Sequence, residues 1–256
     1  MATDVALARC LEDGEGVLRI YRWARPTLSL GRNQPARERY DPGAAEGLGA
    51  EIVRRPTGGR EVMHDRELTY ALVVPLGAVG GLREAYRTLN GALLTAIHSL
   101  GVPARAANGS GKIPKLGSGP CFFALANGEI EVGGRKLVGS AQARIGSVLL
   151  QHGSILLGVP GVDLEALRAP GREMDGAIGA RDGSVGSESP SGHSPITLAE
   201  ALARPLGFTE VARAVEAAFA GSLGGEWQRD GVRNVERETA ATLLSQYESA
   251  SWTWRK

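Results

Sequence analysis

The apolar residues of this chain follow two patterns, one typical of helices and one typical of strands. The clearest helical pattern covers residues 81–100, where apolar side chains return every three or four positions until Gly101 ends the run. The same spacing predicts a helix over residues 2–11. It also predicts helices in TLAEALARPLG, in TEVARAVEAAFAGSLG with Thr209 as N-cap, and from Asn234 to Tyr247.

Short apolar runs bounded by Gly or Pro predict strands. GVLRIYRWARPTLSL contains two, and AEIVRRPTGG, ELTYALVVP and SVLLQHGSILLGV contain one each. In EIEVGGRKLVGSAQ, Gly133 and Gly134 suit a type I′ hairpin turn, because both central positions of that turn need positive φ. Runs of strands with helices between and after them predict an α+β fold: mixed, mostly antiparallel sheets packed with helices, and a small helical C-terminal part.

A change in composition divides the chain. Residues 171–195 are rich in Gly, Ser and Pro, which predicts a flexible loop because such a segment buries little apolar surface. We therefore expect a core over residues 1–170 and a helical C-terminal segment over residues 196–256 that packs on it.

Composition and charge narrow the functional class. The 256 residues carry 29 basic and 28 acidic side chains, a net charge of +1, which argues against bulk nucleic-acid binding but not against a local basic patch. With only Cys10 and Cys121, a reducing, cytoplasmic location is expected. No run approaches the roughly 20 apolar residues that span a bilayer, and the N-terminus lacks a signal-peptide pattern.

Cys121 is the first candidate for chemistry. It follows a Gly-Ser-Gly-Pro loop and two lysines, Lys112 and Lys115. The ordinary interpretation is a small buried apolar residue beside two phenylalanines. The loop and the cationic neighbours, which would lower the thiol pKa, shift the balance towards a nucleophile, and both interpretations stay open at this point.

Lys136 is the second candidate. A period of two places it on one strand face with Val138, Ser140 and Gln142, which is either a solvent-exposed sheet face or a polar site. The opposite face is small, and Gly139 would let a ligand or another backbone come close.

The segment RRPTGGREVMH suggests a site for a carbonyl or an anion. Gly58 and Gly59 free backbone N–H groups to point into one concavity, and three arginines surround them, although a basic surface turn is the alternative. The isolated His64 and His152 have ordinary structural interpretations. No His or Cys pair has ligand spacing, so no metal site is expected.

Four motifs in order, SLGRNQP, RRPTGGREVMHDRELTY, GRKLVGSAQ and LLQHGSILL, resemble the biotin/lipoate protein ligase superfamily on its lipoate side. The resemblance covers about residues 1–165. It implies a fold like that of class II aminoacyl-tRNA synthetases and biotin-lipoate ligases, with residues 1–170 as the catalytic domain. The position of Cys121 is similar to that of the catalytic cysteine in octanoyltransferases that move octanoate from acyl carrier protein to lipoyl domains.

The resemblance implies roles for individual residues. Cys121 would be the acylated nucleophile, and Lys136 would lower its pKa and polarise the acyl carbonyl. No cofactor and no metal are implied. The implied binding residues are Arg54, Arg55, Thr57, Gly58, Gly59, His64, Gly139, Ser140, Ala141, Gln142, His152 and Gly153.

The implied partners are octanoyl-acyl carrier protein and the lipoyl domains of 2-oxoacid dehydrogenases or the glycine cleavage H protein. No nucleic acid or membrane partner is expected, and the protein is expected to be a monomer. Because such partners are typically acidic, we expect a basic patch to steer them, formed by Arg54, Arg55, Arg60, Lys112 and Lys115.

Two alternatives stay open. One is an ATP-dependent lipoate or octanoate ligase on the same scaffold, and the other is a non-catalytic protein that binds acyl groups or lipoyl domains. Cys121 favours the octanoyltransferase over the ligase. The presence of both Cys121 and Lys136 disfavours the binding protein.

Overall fold

The fold was analysed in a computed structural model that describes residues 1–108, 127–170 and 194–255. Short 3-10 helices lie at Leu76–Val79 and Glu165–Leu167. The strands are β1 (Val17–Tyr21), β2 (Thr27–Leu30), β3 (Glu51–Arg54), β4 (Val62–His64), β5 (Glu67–Pro75), β6 (Arg105–Ala106), β7 (Ile130–Val132), β8 (Arg135–Ile145) and β9 (Val148–Leu156). The helices are α1 (Ala2–Arg9), α2 (Pro42–Gly47), α3 (Leu82–Ser99), α4 (Leu198–Leu202), α5 (Phe208–Leu223), α6 (Asn234–Glu248) and α7 (Ala250–Thr253).

Two sheets organise these elements. The larger has six strands in the order β1-β5-β9-β8-β7-β6, and every neighbouring pair in it is antiparallel. The smaller has the order β3-β2-β4, with β2 parallel to β3 and antiparallel to β4. The sheets are therefore mixed and mostly antiparallel, as predicted.

The central strand β5 is buried on both faces, which explains its nearly continuous apolar sequence. Leu68, Tyr70 and Leu72 point to one face, where they meet α3 and α5. Ala71 and Val73 point to the other face, where they meet α1. Helix α6 packs behind α1 through its buried Leu243. The larger sheet thus has a distinct α3 face and α1 face.

The predicted helices and hairpin are present, with one error in detail. Gly133 and Gly134 have φ of +60° and +80°, as the predicted turn between β7 and β8 requires. The predicted N-cap Thr209 is wrong, because the helix already begins at Phe208 and its N-cap is Gly207. The loop predicted over residues 171–195 lies outside the described residues except for its last two positions. No helix in the described ranges is long and apolar enough to cross a membrane.

Candidate functional site

A pocket opens on the α1 face of the larger sheet, where that sheet meets the smaller one. Strand β9 sends His152 and Ser154 to this face, since they alternate with residues that point towards α3. The lining residues are Met1, Tyr21, Trp23, Arg55, Gly59, Val62, His64, Thr69, Gly139, Ser140, Ala141, His152, Gly153 and Ser154.

Arg55 shapes the glycine turn at the edge of the pocket. Its side chain is buried, and Nη2 donates to the carbonyls of Gly58 at 3.0 Å and Arg60 at 2.8 Å. Nη1 donates to both the carbonyl and the hydroxyl of Ser29, each at 2.7 Å. The turn's carbonyl groups therefore point towards a guanidinium.

Two glycines allow the turn to pack as it does. Gly59 has φ of +94°, a conformation that L side chains rarely adopt. A Cβ on Gly31 would overlap the carbonyl oxygen of Gly59, so the loop after β2 and the turn can approach only because Gly31 has no side chain. Within the described residues, the N–H groups of Gly58 and Gly59 donate no hydrogen bond to the protein.

His64 belongs to a buried polar network. Its Nδ1 lies 2.6 Å from Glu67 Oε1 and its Nε2 lies 2.5 Å from Ser29 Oγ, while its ring stacks on Trp23 at 4.5 Å. The arrangement has the order of a Ser-His-acid triad. Ser29 is fully buried, lies outside the pocket lining and accepts a hydrogen bond from Arg55, so it is not placed to attack a substrate.

His152 connects the turn to helix α1. Its Nε2 lies 2.5 Å from Thr57 Oγ1, and its Nδ1 lies 3.8 Å from Oδ2 of the buried Asp4. Burial lowers the pKa of His152, and this effect outweighs the opposing influence of Asp4. For Asp4 itself, burial would raise the pKa, but His152, the terminal amine and Arg19 together hold it below its usual range. A neutral imidazole beside a carboxylate is the result.

The strand segment around Gly139 lines the pocket mainly through small residues. A Cβ on Gly153 would overlap the carbonyl oxygen of Gly139 in β8 and would lie 2.8 Å from the Tyr70 ring, so β9 needs a glycine there. Ser140 points its hydroxyl away towards Tyr70 at 2.8 Å. Gln142 lies outside the pocket lining and its amide meets Gln151 at 2.8 Å.

Lys136 is buried, which rules out the solvent-exposed alternative. Its Nζ donates to Glu129 Oε1 at 2.6 Å, and the two side chains are 1% and 7% exposed. Both lie outside the pocket lining. Cys121 lies outside the described residues, as do Lys112 and Lys115, so their relation to Lys136 remains a prediction.

Arg54 fixes the C-terminal tail rather than facing a partner. Its guanidinium donates to the carbonyls of Gly31, Gln34 and Thr253 at 2.6–2.9 Å. Burial, with the charges of Arg255 and Arg55, lowers its pKa to about 10, so it stays protonated at neutral pH.

The sequence predicted an exposed basic patch, and for its three arginines that prediction is wrong. Arg54, Arg55 and Arg60 are all buried, with at most 8% exposure, and the guanidinium groups of Arg54 and Arg55 donate to main-chain carbonyls. The lysines of that patch lie outside the described residues.

The structure brings together eight of the twelve predicted binding residues: Arg55, Gly59, His64, Gly139, Ser140, Ala141, His152 and Gly153. Arg54, Thr57, Gly58 and Gln142 do not line the pocket. Sequence reasoning missed the other six lining residues, which are Met1, Tyr21, Trp23, Val62, Thr69 and Ser154. A period of two from His152 would have predicted Ser154. Among the described residues, no group of three His, Cys, Asp or Glu side chains is arranged to hold a metal ion.

Comparison with known proteins places the chain in a family. The model of the lipoyl protein ligase A/B catalytic domain matches residues 1–220. The chain belongs to this family. Octanoyltransferase LipM of Kyrpidia tusciae is 37% identical over 265 residues, which span all of this chain and 94% of that protein. LipM of Moorella thermoacetica is 36% identical over all of this chain and 93% of its own length.

Solved structures of the ligase branch share the fold. A lipoate-protein ligase A bound with ATP superposes with a TM-score of 0.72 at 22% identity, covering 99% of this chain and 92% of that one. A bi-partite lipoate protein ligase from Thermoplasma acidophilum gives 0.72 at 20% identity over 99% and 89%. These likenesses confirm the predicted α+β, ligase-like fold.

Proposed function

We propose that this protein is an octanoyltransferase of lipoate biosynthesis, an acyltransferase that moves octanoate from acyl carrier protein to a lysine of a lipoyl domain. The observation that supports this most is the similarity to LipM octanoyltransferases over the whole chain. The sequence-based expectation that the protein works in the cytoplasm agrees with these partners.

The chemistry proceeds in two steps through Cys121. Its thiolate attacks the octanoyl thioester carbonyl, so a bond forms from carbon to Sγ and the carrier thiol leaves. The ε-amine of the lipoyl-domain lysine then attacks the new thioester. A carbon–nitrogen bond forms, the bond to Sγ breaks, and the amine loses a proton. The first step exchanges one thioester for another and the second forms an amide, so the reaction needs no ATP.

The glycine turn is suited to the carbonyl of that intermediate. Arg55 holds the turn's carbonyl groups, and within the described residues the N–H groups of Gly58 and Gly59 have no protein acceptor. Free N–H groups at one concavity stabilise the negative charge that develops on a carbonyl oxygen. The apolar walls from Tyr21, Trp23 and Val62 fit an acyl chain.

Lys136 would act on Cys121 through its charge. Because its ammonium is buried and hydrogen bonded to Glu129, it has one fixed position and solvent screens its charge little. A fixed cation near the thiol would raise the thiolate fraction. His152 and His64 would hold the turn and the pocket wall rather than react.

Intact-mass analysis tests the proposal. The protein is incubated with octanoyl-acyl carrier protein without ATP, and the wild type should gain one octanoyl group that hydroxylamine removes. Cys121→Ala should gain none. Cys10→Ala is the matched control, because Cys10 lies at the end of α1 away from the pocket lining, and it should be acylated like the wild type.

The other outcomes identify the alternatives. Absence of the adduct together with ATP-dependent transfer of free lipoate or octanoate would identify a ligase. Binding of acyl carrier protein or lipoyl domains without either reaction would identify a non-catalytic protein.

A further inference from the structure

We propose that a basic surface beside the pocket, formed by the exposed Arg9 and Arg32 and the half-buried Arg255, docks an acidic face of the carrier protein that delivers the acyl group. We name these three residues the docking surface. The inference rests on the proposed function, and it replaces the arginines that the sequence had suggested for partner binding.

The three arginines meet around the aromatic side chains of the C-terminal tail. Tyr247 of α6 contacts Trp252 edge-on at 5.2 Å, and the Arg255 guanidinium lies 3.8 Å from the Trp252 ring centre. Arg255 also donates to the carbonyl of Arg32 at 2.7 Å. Burial raises the pKa of Tyr247, while Arg9, Arg32 and Arg255 act against it, so all three lie within electrostatic reach of one phenol.

The arginines of the docking surface make no ion pair within the described part of the chain. Among the described residues, no carboxylate pairs with Arg9, Arg32 or Arg255, and the buried Nε of Arg255 has no hydrogen-bond partner there. Arg233, nearby in sequence to α6, is by contrast paired with three glutamates. Arginines that cluster without ion-pair partners repel one another. Binding of an acidic protein reduces that repulsion, and the attraction between the opposite charges also speeds its association with this surface.

The position of the docking surface favours the acyl carrier protein, which is the acyl donor, over the lipoyl domain, which is the acceptor, as its partner. The Arg32 N–H donates to the carbonyl of Thr57 at 2.8 Å, two residues from Gly59 at the pocket. Arg9 lies eight residues along α1 from Met1 at the pocket, roughly 12 Å at the helical rise. A carrier protein holds its acyl group on a long flexible arm and can reach the pocket from there. An acceptor lysine has a short side chain and must be brought over the pocket itself.

The test compares charge reversal at the docking surface with charge reversal elsewhere. The double variant Arg9→Glu/Arg32→Glu is matched by Arg83→Glu/Arg213→Glu, which changes the net charge equally. Arg83 and Arg213 are exposed on α3 and α5, on the opposite face of the larger sheet. Acylation is measured with octanoyl-carrier protein and with octanoyl-pantetheine, which has no protein part. Binding of unacylated carrier protein is measured separately by fluorescence anisotropy.

At low ionic strength, the docking variant should lower kcat/KM for octanoyl-carrier protein by about tenfold or more relative to the matched control. The difference should shrink in about 0.5 M salt, because screening then acts over a few ångströms. The carrier's dissociation constant should rise in parallel, and the rate with octanoyl-pantetheine should change by less than about twofold.

Three results would overturn the inference: equal losses with both donors, equal losses in the matched control, or no binding of carrier protein by the wild type at low salt. A loss confined to transfer onto the lipoyl domain would assign the surface to the acceptor instead, and so would also overturn it. If carrier binding falls as expected while no thioester acylates the protein, the docking surface stands and the proposed function fails.

Discussion

The buried pair of Lys136 and Glu129 allows a test of whether the lysine takes part in the chemistry or only in the fold. The ammonium and carboxylate are 2.6 Å apart and 1% and 7% exposed. Removing one partner leaves the other charge without this counter-ion in a poorly solvating interior, which costs about 3–5 kcal/mol. Lys136→Met and Glu129→Met should each lower Tm by roughly 6–20 °C for a chain of this length.

The double variant Lys136→Met/Glu129→Met separates the two roles. Both charges disappear and apolar chains of similar length fill the space, so stability should return to within about 1–2 kcal/mol of the wild type. The coupling free energy follows from urea unfolding of all four proteins in a double-mutant cycle.

Acylation by octanoyl-carrier protein then decides the question. If Lys136 keeps the cysteine ionised, the double variant should be acylated about 30 times more slowly at pH 7 although it folds well, because a thiol of ordinary pKa is only roughly 3% ionised there. Its rate should rise about tenfold or more between pH 7 and pH 9, because the thiol pKa returns towards about 8.5. A double variant that regains both stability and the wild-type rate would refute the catalytic role.

Three further perturbations test the site. Gly31→Ala forces a methyl group against the carbonyl of Gly59, so unfolding should become easier by about 2–3 kcal/mol, measured by urea titration. Burial lowers the pKa of His152, so below about pH 6.5 the unfolded chain binds a proton that the folded chain does not. The free energy of unfolding should therefore decrease as the pH falls from about 6.5 to about 5, by up to about 1.4 kcal/mol per pH unit from this residue. His152→Gln should lack that part of the slope, and an unchanged slope would contradict the argument. Arg54→Met leaves buried carbonyls without donors, including that of Thr253, and should cost about 2–4 kcal/mol and expose the tail to limited proteolysis; equal protease resistance would count against the anchoring role.

Periodicity predicted the larger sheet well because its strands are long. β5, β8 and β9 have 9 to 11 residues, enough for alternation and flanking glycines to mark them. The smaller sheet was harder. Its strands β2 and β3 have four residues each and β4 has three, and strands of that length carry almost no period. The parallel pairing of β2 with β3 joins strands that are separated by α2, and a local sequence pattern does not reveal such a pairing.

The pocket residues were predicted best where a residue's role depends on its own stretch of backbone. Gly59 and Gly153 mark places where backbone must approach closely, and both line the pocket. The burial of Arg54 was missed because arginine is usually exposed, and here its partners include Thr253, 199 positions away. Trp23 was missed for a similar reason, since its hydrogen bond to Thr69 and its stacking on His64 join separate strands.

The adjacent arginines of this family motif therefore support the pocket from two sides. Arg55 closes the turn locally through the carbonyls of Gly58 and Arg60, whereas Arg54 ties the loop after β2 to the C-terminal tail. An alanine at either position would abolish activity even if neither guanidinium touched substrate. Loss of activity alone is thus no evidence of substrate contact. A substrate-binding role for Arg55 requires that Arg55→Lys raises KM for the acyl donor while both kcat and the free energy of unfolding are kept, because a displaced glycine turn would lower kcat as well.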